Sequence, residues 1–239
     1  HNPLSPPLEV PELRSTQAVA SELTEQWAAV GGGVYSEGVP ASHKGFSFDN
    51  EHGAHKQYIE DFEIRRSLVT NREYLAFIED GGYQRFDLWH SDGWCWVQET
   101  NAEAPLYWQK PEQEWMVYDF NGLRPVQPDL PVAHVNFYEA SAFAAWKGCR
   151  LPTESEWEVA SHKIQWGERW EWTNSAYLPY PGFSTASGAV GEYNGKFMVN
   201  QMVLRGGSVA TPEGHSRKTY RNFFQPWLKW QYMGIRLVR

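Results

Sequence analysis

Apolar side chains recur at helical spacing in the stretch that follows Thr70. Positions 74, 75, 77 and 78 are apolar, and Gly81-Gly82 interrupts the pattern. Thr70 and Glu73 have the spacing of a capping box, in which the threonine hydroxyl and the glutamate carboxylate each accept from a backbone N–H of the first turn. The pattern therefore predicts a helix that begins after Thr70 and is stopped by the two glycines.

Two further helices are predicted in the middle of the chain. One runs from about Tyr138 to Lys147, buries its alanines and aromatic residues, and ends at Gly148. The other begins at a second capping box, Thr153–Glu156, and continues as a short helix through Trp157 to Ala160.

The remaining chain is punctuated by glycine and proline, which favour turns and loops. A turn at Gly31–Gly33 precedes a predicted strand at Val34-Tyr35. We expect loops and short strands elsewhere, for example at Leu88–Val97, Ala104–Trp108, Tyr177–Phe183 and Arg205–Ser208. Few short helices, short strands and long loops together predict an α+β domain.

The first 26 residues differ from the rest of the chain. Four prolines lie between residues 3 and 11, and they exclude regular structure before Leu13. The pattern from Leu13 to Gln26 supports at most a short helix. We therefore expect residues 1–26 to be a linker and residues 27–239 to be the folded domain.

The composition argues against three classes of protein: nucleic-acid-binding proteins, membrane-spanning proteins and disordered chains. The 239 residues carry a net charge of -8 and include 13 Trp, and aromatic residues make up 15% of the chain. The excess of acidic over basic residues argues against a nucleic-acid partner, and no apolar run is long enough to span a membrane. Aromatic residues at this frequency are buried or line pockets, which excludes a disordered chain.

Cys95 and Cys149 are the only cysteines in the chain, and they are too few for a disulfide framework. Two reduced thiols are typical of a cytoplasmic protein. The chain begins at His1 without a methionine or a signal sequence, so we expect it to have been processed or cut from a longer protein.

Several strings of residues occur in an order that resembles the sulfatase-modifying-factor family. This family has the fold of the formylglycine-generating enzyme and is related to C-type lectins. The resemblance covers residues 27–239 and includes the motif Gly234–Leu237 near the C-terminus. The strings are Phe48–Glu51, Val69–Tyr74, Arg150–Glu154, Trp170–Thr173 and Leu204–Ser208.

Other strings resemble a branch of that family, the ergothioneine-pathway sulfoxide synthases of the EgtB type. The resemblance implies two domains: an N-terminal DinB-like helical domain that holds iron(II) through histidines, and a C-terminal domain, similar to this chain, that closes the substrate pocket. Residues 1–26 would then lead out of the iron-binding domain. The strings are Ser91–Trp94, Ala104–Trp108, Pro179–Phe183, Gly191–Met198 and Thr219–Phe224.

The metal chemistry of these relatives does not transfer directly to this chain. The eight histidines include no His-x-x-x-His pair, and His52 with His55 indicates a solvated polar loop, so we expect iron to be bound outside the chain. The copper chemistry of formylglycine-generating enzymes needs two cysteines near the Arg-Gly-Gly-Ser motif, and none is present here. By resemblance Glu171 is a candidate calcium ligand, with Glu168 where relatives often have Asn or Asp.

The resemblance also implies a substrate pocket near the C-terminus, lined by Asn222, Phe223 and Phe224. Some relatives have an acidic residue at the position of Phe224, matched to a γ-glutamyl-cysteine donor. A phenylalanine cannot pair with the ammonium of that donor, so free cysteine is the expected sulfur donor. The alternative interpretation is that both phenylalanines belong to the core.

Hercynine, the acceptor that the resemblance implies, carries a quaternary ammonium, which aromatic faces stabilise. Phe223, Trp227, Trp230 and Tyr232 are candidates for that contact by residue type. The phenol of Tyr193 is a candidate catalytic proton donor. Arg205, with the glycines that come after it, is expected to form a tight turn and a structural ion pair.

The sequence thus predicts the substrate-pocket part of an iron(II)- and O2-dependent enzyme that joins cysteine sulfur to hercynine, inactive on its own. One alternative is a ligand-binding module of the C-type-lectin kind without chemistry. Another keeps the enzyme class but replaces hercynine with histidine, or cysteine with a selenium donor.

Overall fold

The computed structural model describes residues 26–119 and 121–239. The predicted linker of residues 1–26 and the short helix suggested for Leu13–Gln26 lie outside this range except for Gln26. None of the helices in the described part is long and apolar enough to cross a membrane.

Five α-helices occur in the described residues, and three of them begin with capping boxes in which both reciprocal hydrogen bonds are present. Thr70, Asn136 and Thr153 are the caps, and each such cap stabilises its helix by about 1 kcal/mol. The helices are α1 (Asn71–Glu79), α2 (Ser91–Thr100), α3 (Phe137–Trp146), α4 (Glu154–Ala160) and α5 (Gly191–Asn194).

The strands in the described residues are short and form four small sheets. They are β1 (Trp27–Val30), β2 (Gly33–Glu37), β3 (His55–Ile59), β4 (Phe62–Arg65), β5 (Trp108–Gln109), β6 (Met116–Asp119), β7 (Gly122–Pro125), β8 (Trp170–Ala176), β9 (Met202–Gly206), β10 (Asn222–Phe224) and β11 (Met233–Gly234). The largest sheet has the order β10-β9-β8-β11; β8–β9 and β9–β10 are antiparallel and β8–β11 is parallel. The other sheets pair β1 with β4, β2 with β3, and β6 with both β5 and β7.

The main core lies between α1, α3 and the largest sheet. Tyr74 of α1 stacks on Phe143 of α3 with ring centroids 5.5 Å apart, and the indole N–H of Trp172 on β8 donates to the carbonyl of Val135 at 2.9 Å. Because α3 is buried on nearly every side, it forms the centre of the domain rather than a surface helix. Its N-terminus is therefore a fixed platform for the C-terminal segment that packs against it.

The predicted α+β architecture with few short helices and short strands is confirmed, as are α1, α3, α4 and the strand at Val34-Tyr35. The prediction of loop and short strand at Leu88–Val97 is wrong, because most of that stretch lies in α2. Gly93 suggested a break there, yet a Cβ at this position would lie 2.9 Å from Tyr138. The glycine is present for close packing of α2 on α3, not for a turn.

Candidate functional site

The candidate site is built around β10, the strand that carries Asn222, Phe223 and Phe224. Among the described strands it lies at the edge of the largest sheet, paired only with β9. Successive side chains of a strand point to opposite faces. Phe223 therefore projects to one face of the sheet, and Asn222 and Phe224 project to the other.

Phe223 is buried in a small aromatic cluster. Its ring stacks on Tyr177 with centroids 4.0 Å apart and planes 9° from parallel, and Phe197 lies 5.9 Å away. Tyr193 of α5 closes the cluster on the outside, 5.7 Å from Phe223, with 58% of the tyrosine exposed. Phe223 thus supports the candidate catalytic tyrosine from behind and does not offer an open face to a ligand.

Phe224 lies on the other face with the tryptophans of the adjoining C-terminal segment. Its ring meets Trp230 edge-to-face at 5.7 Å. Trp230 and Trp227 are 53% and 49% exposed. Asn222, on the same face as Phe224, accepts the N–H of Phe223 through Oδ1 at 3.0 Å. This face presents half-exposed aromatic rings beside a polar amide.

The expected single aromatic pocket is therefore divided. Phe223 does not share a face with Phe224, and Tyr232 turns inward, where its ring lies 4.7 Å from His134 and 5.2 Å from the guanidinium of Arg169. Strand alternation accounts for the separation of the two phenylalanines. The aromatic candidates that remain together are Phe224 and Trp230, with Trp227 on the same segment.

Three consecutive buried residues, Asp49–Glu51, hold the loops around this site. Asp49 accepts the side-chain N–H of Asn194 at 2.5 Å and the backbone N–H of Ala186 at 3.1 Å. Asn194 is the residue directly after Tyr193, so the carboxylate of Asp49 fixes the segment that presents the candidate catalytic phenol.

Asn50 holds Arg221, the residue that directly precedes β10. Its amide donates to the hydroxyl of Tyr177 at 2.8 Å and to the carbonyl of Arg221 at 3.3 Å. The guanidinium of Arg221 makes two 2.9 Å bonds to Glu154 and stacks 3.9 Å from the ring of Tyr180. Burial is the largest influence and would lower the pKa of Arg221, but the charge and hydrogen bonds of Glu154 together with Tyr180 outweigh it and the pKa is raised.

Glu51 holds the segment that leads into β10. Its carboxylate accepts two N–H groups of Arg217 and, at 2.7 Å, the hydroxyl of Thr219. From the sequence, Phe48–Glu51 is recognisable only as a family string, with no role attached to its residues. The partners lie up to 171 residues away in the chain, so no local pattern could have revealed them.

Arg205 forms the expected structural ion pair, but it lies within β9, and the turn comes after it, where the backbone N–H of Thr211 donates to the carbonyl of Ser208 at 2.9 Å. Arg205 is fully buried, and its Nη2 donates to Glu158 at 2.9 Å and to Glu37 at 3.3 Å. The next residue, Gly206, has a φ of +93°, which a glycine adopts without strain. Burial raises the pKa of Glu158 in spite of the neighbouring guanidinium.

Glu171 does not fit the expected calcium site. Its carboxylate accepts two bonds from Arg236, at 2.6 and 2.8 Å, and one from the indole N–H of Trp157 at 2.6 Å. Calcium needs six to eight oxygen ligands, whereas this carboxylate is surrounded by donors and a cation. Glu168 is nearby, its pKa is raised by burial and its Oε2 is buried without a hydrogen-bond partner, but among the described residues no third acidic side chain converges with these two.

Iron and copper ligands are likewise not assembled by the described residues. Within residues 26–119 and 121–239, no three His, Cys, Asp or Glu side chains converge as a metal site. His52 contacts Ser47 at 2.8 Å, and His55 contacts the carbonyl of Gly53 at 2.9 Å. Neither Cys95 nor Cys149 forms a disulfide. The residues present do not fit an iron centre.

Comparison with known proteins finds one matching family and several similar proteins. Residues 13–165 match the family described as "Sulfatase-modifying factor enzyme 1-like domain". The chain is 33% identical to the hercynine oxygenase of Mycolicibacterium smegmatis, over 87% of this chain and 60% of that protein. It is 26% identical to the ergothioneine biosynthesis protein 1 of Schizosaccharomyces pombe, over 97% of this chain and 33% of that protein.

A solved structure supports the fold. PvdO from Pseudomonas aeruginosa superposes with a TM-score of 0.55 at 16% identity, covering 89% of this chain and 93% of PvdO. At this identity the likeness concerns the fold alone. The chain spans about three fifths of the hercynine oxygenase that it matches.

Proposed function

The chain belongs to the sulfatase-modifying factor enzyme 1-like family, and we propose that it forms the substrate-pocket part of an iron(II)- and O2-dependent sulfoxide synthase of ergothioneine biosynthesis. The complete reaction would couple a C–H bond of the hercynine imidazole and the S–H bond of cysteine to O2, giving the C–S sulfoxide and water. The observation that carries the proposal is the similarity to a hercynine oxygenase over 87% of the chain.

The face that carries Asn222, Phe224 and Trp230 suits the proposed acceptor. A quaternary ammonium against an aromatic face gains roughly 0.5 to 2 kcal/mol, and the half-exposed rings of Trp227 and Trp230 are available for that contact. The imidazole and carboxylate of hercynine would need polar partners, which Asn222 can supply. We assign substrate binding to this face and the supporting role to Phe223.

The donor we propose is cysteine. Phe224 is apolar and packs on Trp230, so it offers no carboxylate to the ammonium of a γ-glutamyl group. Tyr193 is proposed as the proton donor on the resemblance alone. Its exposed phenol lies in the Phe223 cluster, on the other face of the edge strand β10 from Phe224, so it would act across that edge, on a segment held by Asp49.

The iron is proposed to lie outside this chain, on an N-terminal DinB-like domain, as in the enzymes that the sequence resembles. The role of this chain is then to bind and orient the two substrates and to keep water from the reacting atoms. We propose a cytoplasmic location, in keeping with the two thiols, and no nucleic-acid or membrane partner.

The test is product analysis with the complete enzyme, iron(II) and O2. Hercynine with cysteine should give the coupled sulfoxide, detected by mass spectrometry with one oxygen atom from O2. Formation of product from histidine instead of hercynine would show that histidine is the acceptor. Efficient use of a selenium donor would show that the donor is a selenium compound rather than cysteine. Ligand binding without any product would favour the C-type-lectin-like binding module.

A further inference from the structure

Residues 225–231, which make up all but the last residue of the segment between β10 and β11, are called here the tail loop. It carries Trp227 and Trp230, whose side chains are 49% and 53% exposed. Exposed tryptophans on an irregular loop would normally be free to change position. In this protein the backbone of the loop is instead attached to the buried helix α3.

The first attachments are made by the beginning of α3. The backbone N–H of Phe137 donates to the carbonyl of Pro226 at 3.0 Å, and the side-chain amide of Asn136 reaches the carbonyl of Trp227 at 3.5 Å. The first N–H groups of a helix have no partner within the helix, so the tail loop provides one. These contacts fix the first half of the loop.

The second half is held by the side chain of Lys229. Its ammonium donates to the carboxylate of Glu139 at 2.8 Å and to the carbonyl of Ala104 at 3.2 Å, and it lies 4.7 Å from the ring centroid of Trp96. Only 14% of the lysine side chain is exposed, and the Glu139 side chain is fully buried. A buried lysine and a buried glutamate are tolerated only as a pair.

Glu139 is itself fixed to the core. It accepts the hydroxyl of Tyr83 at 2.7 Å and the backbone N–H of Asn136 at 2.8 Å, and the hydroxyl of Tyr83 lies 3.0 Å from that of Tyr74. A hydrogen-bonded chain therefore runs from α1 through Glu139 to the tail loop. Moving the loop outward would leave the carboxylate buried without its cation.

We propose that Lys229 is a positioning residue for substrate binding, which holds the tail loop to Glu139 so that Trp227 and Trp230 form a preformed aromatic wall. The inference deepens the proposed function and rests on it for the identity of the ligand, a quaternary ammonium. A wall that is ordered before binding removes the entropic cost of ordering it when the ligand arrives. The loop anchoring itself can be measured without any substrate.

The first experiment is hydrogen–deuterium exchange of the chain and its Lys229→Met variant. Methionine keeps an unbranched stem beside Trp96 but cannot donate to Glu139. Amides of the tail loop should exchange about tenfold faster in the variant, whereas amides of β8 and β9 keep their protection. Lys110→Met is the matched control, because Lys110 also lies over a tryptophan, 5.4 Å from Trp115, but has no part in the loop.

Lys229→Arg keeps the charge and the donors and should retain the slow exchange. If Lys229→Met fails to fold, the Lys229→Arg variant still tests the proposal. Fast exchange of the tail-loop amides in a folded Lys229→Arg variant would overturn it. Unchanged tail-loop exchange in a folded Lys229→Met variant would overturn it as well, whatever the protein binds.

The second experiment measures the complete enzyme. Lys229→Met should raise the KM for hercynine about tenfold with kcat within about twofold, and Lys229→Arg should restore the KM. If exchange of the tail loop rises while the KM for hercynine stays unchanged, the anchoring role of Lys229 stands and the assignment of this face to hercynine is wrong.

Discussion

At the scale of single residues, His134 combines a left-handed backbone conformation with a buried imidazole. Its φ is +60°, a conformation that few non-glycine residues adopt. The imidazole is buried between the rings of Tyr107 at 4.8 Å and Tyr232 at 4.7 Å, and its Nδ1 has no hydrogen-bond partner among the described residues. Burial, with a contribution from the charge of Arg169, lowers the pKa of His134 from 6.5 to about 4.

This pKa makes stability depend on pH. The unfolded chain protonates His134 near pH 6.5 and the native protein only near pH 4, so the stabilising contribution is complete above pH 6.5 and is lost as the pH falls from there through about 4. The free energy of unfolding should fall by about 3 kcal/mol more in the wild type than in His134→Asn over that interval. Denaturant titrations at several pH values check this; parallel pH profiles of the two proteins would contradict it.

At the scale of elements, the loops around the site depend on Asp49. Asp49→Ala removes the acceptor of Asn194 and of the Ala186 N–H, so the segment from about residue 183 to 199 should loosen. Chymotrypsin should then cleave near Tyr193 and Phe197 several-fold faster, because local opening is the step that exposes the bond.

The matched control for this prediction is Asp129→Ala, which removes a surface carboxylate paired with Arg72. Exposed ion pairs contribute little, so its cleavage pattern should equal that of the wild type. Equal cleavage rates in Asp49→Ala and the wild type would show that the contacts of Asp49 do not restrain the segment.

Elements with local signals were predictable from the sequence. The capping boxes at Thr70 and Thr153 each place both partners within three residues, and α1 and α4 begin where these boxes predict. The helix α2 was not predictable in this way, because Gly93 is a loop signal in sequence, whereas its cause is contact with Tyr138 on another helix. His90, which precedes α2, makes no side-chain cap.

The candidate site was only partly predictable for the same reason. The strings around Tyr193 and Asn222 indicated the candidate residues, and the alternation of β10 that separates Phe223 from Phe224 is a local property. The roles of Asp49, Glu139 and Lys229 arise from contacts across 90 to 145 residues of chain, which leave no periodic pattern.

At the scale of the whole molecule, the domain combines an apolar core around α3 with buried ion pairs that hold the site loops. Two ion pairs, Glu154–Arg221 and Glu139–Lys229, join segments that are distant in sequence. Both pairs are largely buried. Breaking one partner of such a pair typically costs about 3–5 kcal/mol. These pairs fix the segments that carry the proposed aromatic wall, which suits the proposed binding and selection of substrates.

The most direct test of this account measures how Phe224 sets the sulfur donor. The kcat/KM values for cysteine and γ-glutamyl-cysteine are compared in the complete enzyme for the wild type, Phe224→Asp and the apolar control Phe224→Leu. A preference for cysteine is expected in the wild type and the control, and one charge-assisted contact should shift the ratio about tenfold or more towards γ-glutamyl-cysteine in Phe224→Asp. An unchanged ratio in Phe224→Asp would contradict the assignment of this face to the substrate pocket.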